Sequence, residues 1–382
     1  MRILQVIAVT TAESGGPIEC AIRNAVEWTR DGHSVEFVSL EDPSDVARRN
    51  FPYPLAAMGR GFAGYRFNPR LTQWVRREAG RFDVVLLHGL WNYSSVGAWL
   101  GLRGSNTPYF IFAHGMLDPW FREQYPIKHL AKCFYWWLAE GRVLQDAQAV
   151  LFTTEEERLR AQHAFWGHQY REKVVLLGTA DPPEISEKQK ASLSRTLPSL
   201  LDRRYLLFMG RIHEKKGCDL LLKAFARCVS ELPPDLDLMI AGPDQMGLVA
   251  SLRGLAQELG IDNRIHWHSM LLGDCKWDAL RNAEAFVLPS HQENFGIVVA
   301  EAMACGTPVL ISDKVNIWRE VVATKAGLVE PDTVEGTKQL LRRFFALTAE
   351  ERSTMRAQAR AGFLKCFDAR VAARHLLRAI TP

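Results

Sequence analysis

Two successive runs of short apolar strands alternating with amphipathic helices fill most of the 382 residues, and this alternation is what most constrains the fold. Strand and helix repeating in turn can bury their apolar faces only as parallel sheets with helices on both sides. The first run reads as strands at Ile3–Ala8, Val35–Leu40, Val84–Leu87, Tyr109–Ala113, Ala149–Phe152 and Val174–Leu177. Residues 181–203, DPPEISEKQKASLSRTLPSLLDR, interrupt it with Pro, Ser and charge, the composition of a linker with a short helix. The second run places strands at Tyr205–Met209, Leu236–Ala241, Ile265–His268, Ala285–Leu288 and Pro308–Ile311. A chain of 382 residues also exceeds what one core organises. The expected architecture is therefore α/β, with two doubly wound Rossmann-like domains facing across a cleft. Residues 1–180 form the first and 204–365 the second. The end of the helical stretch Ala349–Ile380, counted from residue 366 to 382, is expected to pack back on the first domain.

Composition narrows the functional classes. With 47% hydrophobic and 24% charged residues and no tail of like charge, the chain is globular. A net charge of +4 gives no support for a nucleic-acid partner. The seven cysteines (Cys20, Cys133, Cys218, Cys228, Cys275, Cys305, Cys366) make no CxxC pair, which fits a reducing cytoplasm better than a disulfide scaffold or a zinc site. The apolar run after Arg2 is too short for a signal peptide and reads as a first strand. Val84–Leu102 carries no formal charge, but His88, Asn92, Ser94, Ser95 and three glycines interrupt it, so it reads as strand, loop and helix rather than a membrane span.

In doubly wound sheets, ligands gather where strands run into helices. Three such places carry suitable chemistry. The first is Ser14-Gly15-Gly16-Pro17, where two glycines admit close backbone approach and Pro17 suits a first helical turn. Free amides there would favour an anion, although a plain tight turn has the same sequence. The second is Gly210-Arg211-Ile212-His213-Glu214-Lys215-Lys216-Gly217, between a strand and the helix Cys218–Val229. Its Arg fork and compact Lys charges suit phosphate oxygens, whereas the bland alternative is a solvated surface. The third is Ser290-His291-Gln292-Glu293-Asn294-Phe295-Gly296-Ile297-Val298-Val299-Ala300-Glu301-Ala302. Glu293 precedes a helix and Glu301 lies two turns inside it among apolar neighbours, where a carboxylate needs a partner. A vicinal diol of ribose or of a pyranose would supply one. Helix-dipole stabilisation and an exposed mid-helix carboxylate are the alternative.

Together these features resemble the GT-B-fold glycosyltransferases of family 4. The likeness runs over nearly the whole chain and is carried by strand-GRIHEKKG-helix, by PSHQENFGIVVAEAMACGTPVLIS with its two Glu separated by seven residues, and by SGGP and AHGMLDPW in the first half. The resemblance implies a hexosyltransferase acting on a UDP- or GDP-sugar, retaining anomeric configuration, without metal or cofactor, in surface polysaccharide or glycoconjugate synthesis. It implies that Gly15 and Gly16 present backbone to the donor phosphates and that Arg211 and Lys216 neutralise the departing diphosphate. Glu301 would hold the ribose, Glu293 the transferred sugar, and Asn294, Phe295 and Gly296 would offer backbone amides. His114 would sit at the sugar with its carbonyl facing the anomeric centre. Family members usually have Gly where this chain has Asn294, a departure that bears on which sugar fits. Fixed cations suffice for the chemistry, because breaking the anomeric C–O bond builds negative charge on the diphosphate. Asp235 and Asp237 stand at a strand start, not at the strand end where a metal-holding pair would be needed.

Weaker signals complete the reading. His114 is also explicable as a polar strand end, and His88 occupies the equivalent place after the preceding strand. Trp91, Asn92 and Tyr93 are expected to contact a saccharide acceptor, the aromatics by stacking. His266 and His268 read as structural. In Lys128–Arg142 (KHLAKCFYWWLAEGR), burial of most of the four aromatics competes with contact of a basic amphipathic helix with an anionic membrane, on the cytoplasmic face, serving a lipid-linked acceptor. The alternatives to transfer are a nucleotide-sugar epimerase on the same fold and a catalytically silent sugar-nucleotide-binding subunit; intact Arg211, Lys216, Glu293 and Glu301 favour transfer.

Overall fold

The computed structural model describes residues 1–11, 15–119, 126–162, 164–184, 203–244 and 246–381, with 126–128 as backbone alone. Ser14, Trp120 and residues 185–202 of the expected linker lie outside them. The chain divides into two compact units, Met1–Gly178 with Ala369–Pro382, and Thr179–Asp368.

The first unit holds a wholly parallel seven-stranded sheet. Its strands are β1 (Arg2–Ile7), β2 (Ser34–Ser39), β3 (Leu55–Ala57), β4 (Val84–His88), β5 (Tyr109–Phe112), β6 (Ala149–Phe152) and β7 (Glu172–Val174), in the spatial order β3-β2-β1-β4-β5-β6-β7. Burial on both faces follows from the apolar runs. Leu4, Val6, Val85 and Leu87 enter one core, while Ile3, Ile7, Val84 and Leu86 enter the other. The second core is completed by Ala373, Leu376 and Ile380 from the last helix, Ala369–Ile380. Trp28, fully buried, donates Nε1–H to the Ala373 carbonyl at 2.9 Å and fixes that helix in place.

The second unit holds a parallel six-stranded sheet of β8 (Arg204–Met209), β9 (Leu236–Ala241), β10 (Ile265–His268), β11 (Ala285–Leu288), β12 (Val309–Ser312) and β13 (Gly327–Glu330), ordered β10-β9-β8-β11-β12-β13. In both sheets the order reverses beside the first strand, between β1 and β4 and between β8 and β11. Those are the topological switch points at which open α/β sheets bind ligands.

Several elements depart from the reading of the sequence. Leu55–Ala57 and Gly327–Glu330 form strands too short to show alternation. Gly327 lies so close to its neighbour strand that an added Cβ would stand 1.8 Å from the Val309 carbonyl oxygen. The last strand of the first sheet is Glu172–Val174, and the apolar residues after it lead out of the sheet. The terminal helical stretch is two helices, Ala349–Cys366 and Ala369–Ile380. The break falls at buried Phe367, whose ring packs edge-on against Phe295 at 5.6 Å and whose carbonyl accepts from Thr179 N–H at 2.8 Å. Thr348 and Glu351 close a reciprocal capping box on the first of these helices. Thr348→Ala should cost about 1 kcal/mol in chemical denaturation.

Candidate functional site

In the second unit, the loop after β8 is shaped by its glycines. A single turn at Glu214–Lys216 follows His213, whose Nδ1 accepts from the Lys215 amide at 3.1 Å. Gly217 then takes φ 66°, and a Cβ there would stand 2.2 Å from the Pro289 carbonyl oxygen. Only glycine fits, and the loop is thereby pressed against the exit of β11. Gly217→Ala should lower stability by about 1–2 kcal/mol from left-handed strain alone, and the clash adds to that loss in a thermal melt.

The close approach brings the second and third motifs together. Lys216 Nζ forms an ion pair with the Glu293 carboxylate, with the side chains only 14% and 20% exposed. Beside it Lys215 Nζ donates to Gln292 Oε1 at 3.3 Å, and the His291 amide donates to the Lys215 carbonyl at 2.7 Å. From the other side, the Glu293 amide donates to the Lys314 carbonyl and its own carbonyl accepts from Asn316 N–H, both at 3.0 Å. The Asn294 side-chain oxygen accepts from Asn316 Nδ2 at 3.5 Å.

Gly296, at φ 78°, starts the helix Ile297–Ala304 with no side chain capping it and no acidic residue in its first turn. The helix therefore presents amides and positive dipole at the Lys216–Glu293 pair. Phe295 is buried against Phe367, which leaves its backbone rather than its ring for any ligand. Arg211 is exposed and forms no ion pair among the described residues. Burial, then Lys215 and Arg211, hold the His213 imidazole below its ordinary range, so the loop's net charge is carried by Arg and Lys. Deeper in the helix, Glu301 is 1% exposed, and its Oε1 lies 2.7 Å from Lys276 Nζ. Lys276, on the helix Gly273–Asn282, was not among the residues expected from sequence. His266 bonds Asp237 at 2.8 Å on the sheet, as a structural histidine would.

In the first unit, Gly15 caps the helix Gly16–Arg30 at φ 73° with no side-chain cap, and a Cβ on either Gly15 or Gly16 would meet open space. Among the described residues nothing covers these two glycines. His88 ends β4, and His114, at φ 48°, follows β5. His88 Nδ1 and His114 Nε2 are 2.9 Å apart, and the two rings lie within 19° of parallel. Burial drives the His88 imidazole well below its ordinary range and His114 down to about 3, so both are neutral. Glu157 accepts from the Gly115 amide at 2.6 Å and from the Thr153 amide at 2.7 Å, which pins the turn that His114 begins.

The four residues expected at an acceptor have the following surroundings in the fold. His88 is buried, and its ring lies 5.2 Å from those of both Phe112 and His114, with its Nδ1 turned to His114. Tyr93 is buried against Tyr65 and Phe67 with its hydroxyl at Thr72, so it has no face for a sugar. Asn92 caps the helix Tyr93–Leu102 through the Ser94 amide at 2.9 Å. Trp91 packs on Trp136 and Phe165 and donates Nε1–H to the Met116 carbonyl.

The aromatic segment forms the helix Pro126–Tyr135 followed by a π-helical turn, Trp136–Glu140. Trp136 is buried and Tyr135 half-buried, while Phe134 and Trp137 are exposed, so the four aromatics divide evenly. Among the described residues no helix is long and apolar enough to cross a membrane. Glu140 is fully buried, and burial pushes its carboxyl up to about 7 against the lowering effect of Ser95, Tyr135 and the Trp91 amide. The folded chain thus keeps a proton that the unfolded chain releases near 4.5, so this stability is full below 4.5 and is lost as pH rises through about 7. Glu140→Gln should abolish that loss, gaining about 3 kcal/mol on the wild type across the window in urea melts at a series of pH values.

Comparison with known proteins follows the same division. Residues 15–178 match the Glycosyl transferase 4-like domain, and residues 189–362 match Glycosyl transferases group 1. The D-inositol 3-phosphate glycosyltransferase of Saccharomonospora viridis is 28% identical, over 92% of this chain and 85% of the relative. That of Geodermatophilus obscurus is 30% identical over 63% of this chain, and the match spans only 54% of the relative's length. Sucrose-phosphate synthase from Thermosynechococcus elongatus superposes with a TM-score of 0.77 at 19% identity, covering 99% of this chain and 98% of that one. HepE from Anabaena, in complex with UDP and glucose, does so with a TM-score of 0.77 at 18% identity, over 100% and 99%. Both likenesses are of fold. The chain belongs to the glycosyltransferases, joining a glycosyl transferase 4-like domain to a group 1 domain on the GT-B fold.

Proposed function

We propose that the protein is a retaining hexosyltransferase that takes a hexose from a UDP- or GDP-sugar and passes it to a lipid-linked saccharide. The observation that carries this reading is the Lys216–Glu293 pair at the uncapped head of Ile297–Ala304, with Arg211 exposed on the same loop. A cation, a set of amides and a carboxylate meet there at a switch point. The first two suit a diphosphate and the third suits sugar hydroxyls. Lys216 and Glu293 neutralise each other, and a bound donor would divide them between its phosphate and its sugar. As the anomeric C–O bond breaks, the electron pair leaves with the diphosphate, where Lys216 and Arg211 stabilise it, while the acceptor hydroxyl oxygen bonds to the anomeric carbon and its proton passes to the leaving phosphate. Fixed cations in this place supply the stabilisation that a metal would otherwise give. Glu301 would accept from the ribose hydroxyls, Gly15 and Gly16 would face the donor phosphates, and His114 would lie at the sugar. The UDP and UDP-glucose held by HepE structures support a nucleotide-sugar donor.

Leu130, Phe134, Trp137 and Leu138, exposed along one segment with Trp166 beside buried Trp136, support the lipid-linked acceptor by offering an apolar face to a bilayer surface. The test is incubation with UDP- and GDP-hexoses in EDTA, following nucleotide release and product configuration by NMR. One nucleotide family should react, giving the donor's anomeric configuration. Inverted product, reaction lost in EDTA or no reaction with any donor and acceptor would each overturn the corresponding part. Co-sedimentation with phosphatidylglycerol vesicles, weakened in a Phe134→Ser/Trp137→Ser variant, tests the membrane face.

A further inference from the structure

Gln5 is a polar residue at 0% exposure in the middle of β1, among Ile3, Leu4, Val6 and Ile7. An amide so placed costs stability unless it is bonded, so its partner is informative. That partner is His88, whose Nε2 lies 2.5 Å from Gln5 Oε1. The other nitrogen of His88 faces His114 Nε2 at 2.9 Å. Three side chains, from the middle of β1, the end of β4 and the turn after β5, thus form one line of hydrogen bonds across adjacent strands.

The line has a direction. A carbonyl oxygen only accepts, so His88 carries its proton on Nε2. A neutral imidazole has a single N–H, so His88 Nδ1 is a lone pair and must accept from His114 Nε2–H. His114 is neutral as well, which leaves its Nδ1 without a proton. We propose that Gln5 and His88 are positioning residues that hold His114 in the Nε2–H tautomer, so that His114 Nδ1 accepts a hydrogen bond from a hydroxyl of the transferred sugar. The placing of that hydroxyl rests on the transferase reading above; the tautomer itself does not. Glu157, bonded to the Gly115 amide, fixes the backbone from which the ring projects, so ring orientation and proton position are set by separate contacts. A site of this kind selects a hydroxyl that donates, and rejects a sugar lacking it because the lone pair is then left without a donor.

Two readouts test this. The first is long-range imidazole 15N–1H correlation in the histidine-labelled protein near neutral pH, with His114 assigned by its loss in His114→Gln. The expected wild-type signal is a protonated Nε2 and a bare Nδ1. In Gln5→Met, which keeps the volume but has no carbonyl, His114 should average between tautomers. The second is kinetic: kcat/KM for the donor should fall about tenfold in Gln5→Met, the size of one lost hydrogen bond. The deoxy donor that loses about tenfold with wild type should lose little more in Gln5→Met, because the two changes remove the same contact. A proton found on His114 Nδ1 in the wild type, as a rotated Gln5 amide would dictate, overturns the assignment. So does a tautomer unchanged in Gln5→Met. If no donor is turned over, the transferase reading fails and the spectra alone decide the tautomer; should Gln5→Met not fold, the wild-type spectrum decides it.

Discussion

Lys216→Ala should slow transfer by about 10²–10³-fold in kcat, the usual loss when one fixed stabiliser of developing negative charge is removed. The side chain stands at the head of an uncapped helix and is 14% exposed, so water replaces its charge poorly. The variant also strands Glu293, a carboxylate only 20% exposed that loses its ion-pair partner. A second carboxylate substitution therefore should not add its full effect: Lys216→Ala with Glu293→Ala should fall short of the sum of the singles, since the two residues share one interaction. Lys216→Arg keeps charge but changes geometry and should retain part of the rate. The measurement is steady-state nucleotide release. A Lys216→Ala enzyme within a few-fold of wild type would remove Lys216 from the leaving-group role.

Glu301 and Lys276 should be costly to separate, and unequally so. Glu301 is 1% exposed, whereas Lys276 is 24% exposed and lies 4.8 Å over the Trp277 ring. Removing one member of a buried pair costs about 3–5 kcal/mol. In Glu301→Ala the surviving ammonium can turn toward water, so the loss should sit near the lower end of that range. In Lys276→Ala the surviving carboxylate is enclosed, so the loss should sit near the upper end. Nucleotide diphosphate adds a separate readout. A ligand that binds only the folded state raises stability by about 2.7 kcal/mol at a hundredfold excess over Kd. That shift, insensitive to EDTA, should appear in wild type and vanish in Glu301→Ala. Persistence of the shift in a folded Glu301→Ala protein would take the ribose role from this residue.

Much of this site can be read from the linear order of residues. Strand β8 followed by GRIHEKKG, and β11 followed by HQENFG, announce themselves because an apolar run, a glycine and a helical period are local signals. The segment around Trp91 was less legible. Trp91, Asn92 and Tyr93 read as acceptor contacts on their chemistry, and nothing local announced the aromatic packing of Trp91 and Tyr93 or the helix cap made by Asn92. Gln5 went unread, although a lone amide inside the apolar run Ile3–Ile7 was a usable sign that a polar partner stood on a neighbouring strand. Lys276 offered no such sign, being one basic residue on an amphipathic helix.

What the sequence by itself determined is the periodicity and the punctuation: two parallel sheets, and the glycines at which loops bend and helices begin. These follow from backbone sterics and side-chain burial within a few residues. Only the tertiary structure decided which groups meet. Lys216 and Glu293 are 77 residues apart, and Gln5 and His88 are 83 apart. Such pairs form because parallel strands bring distant ends side by side, and no local pattern encodes which charge or proton a residue will find there.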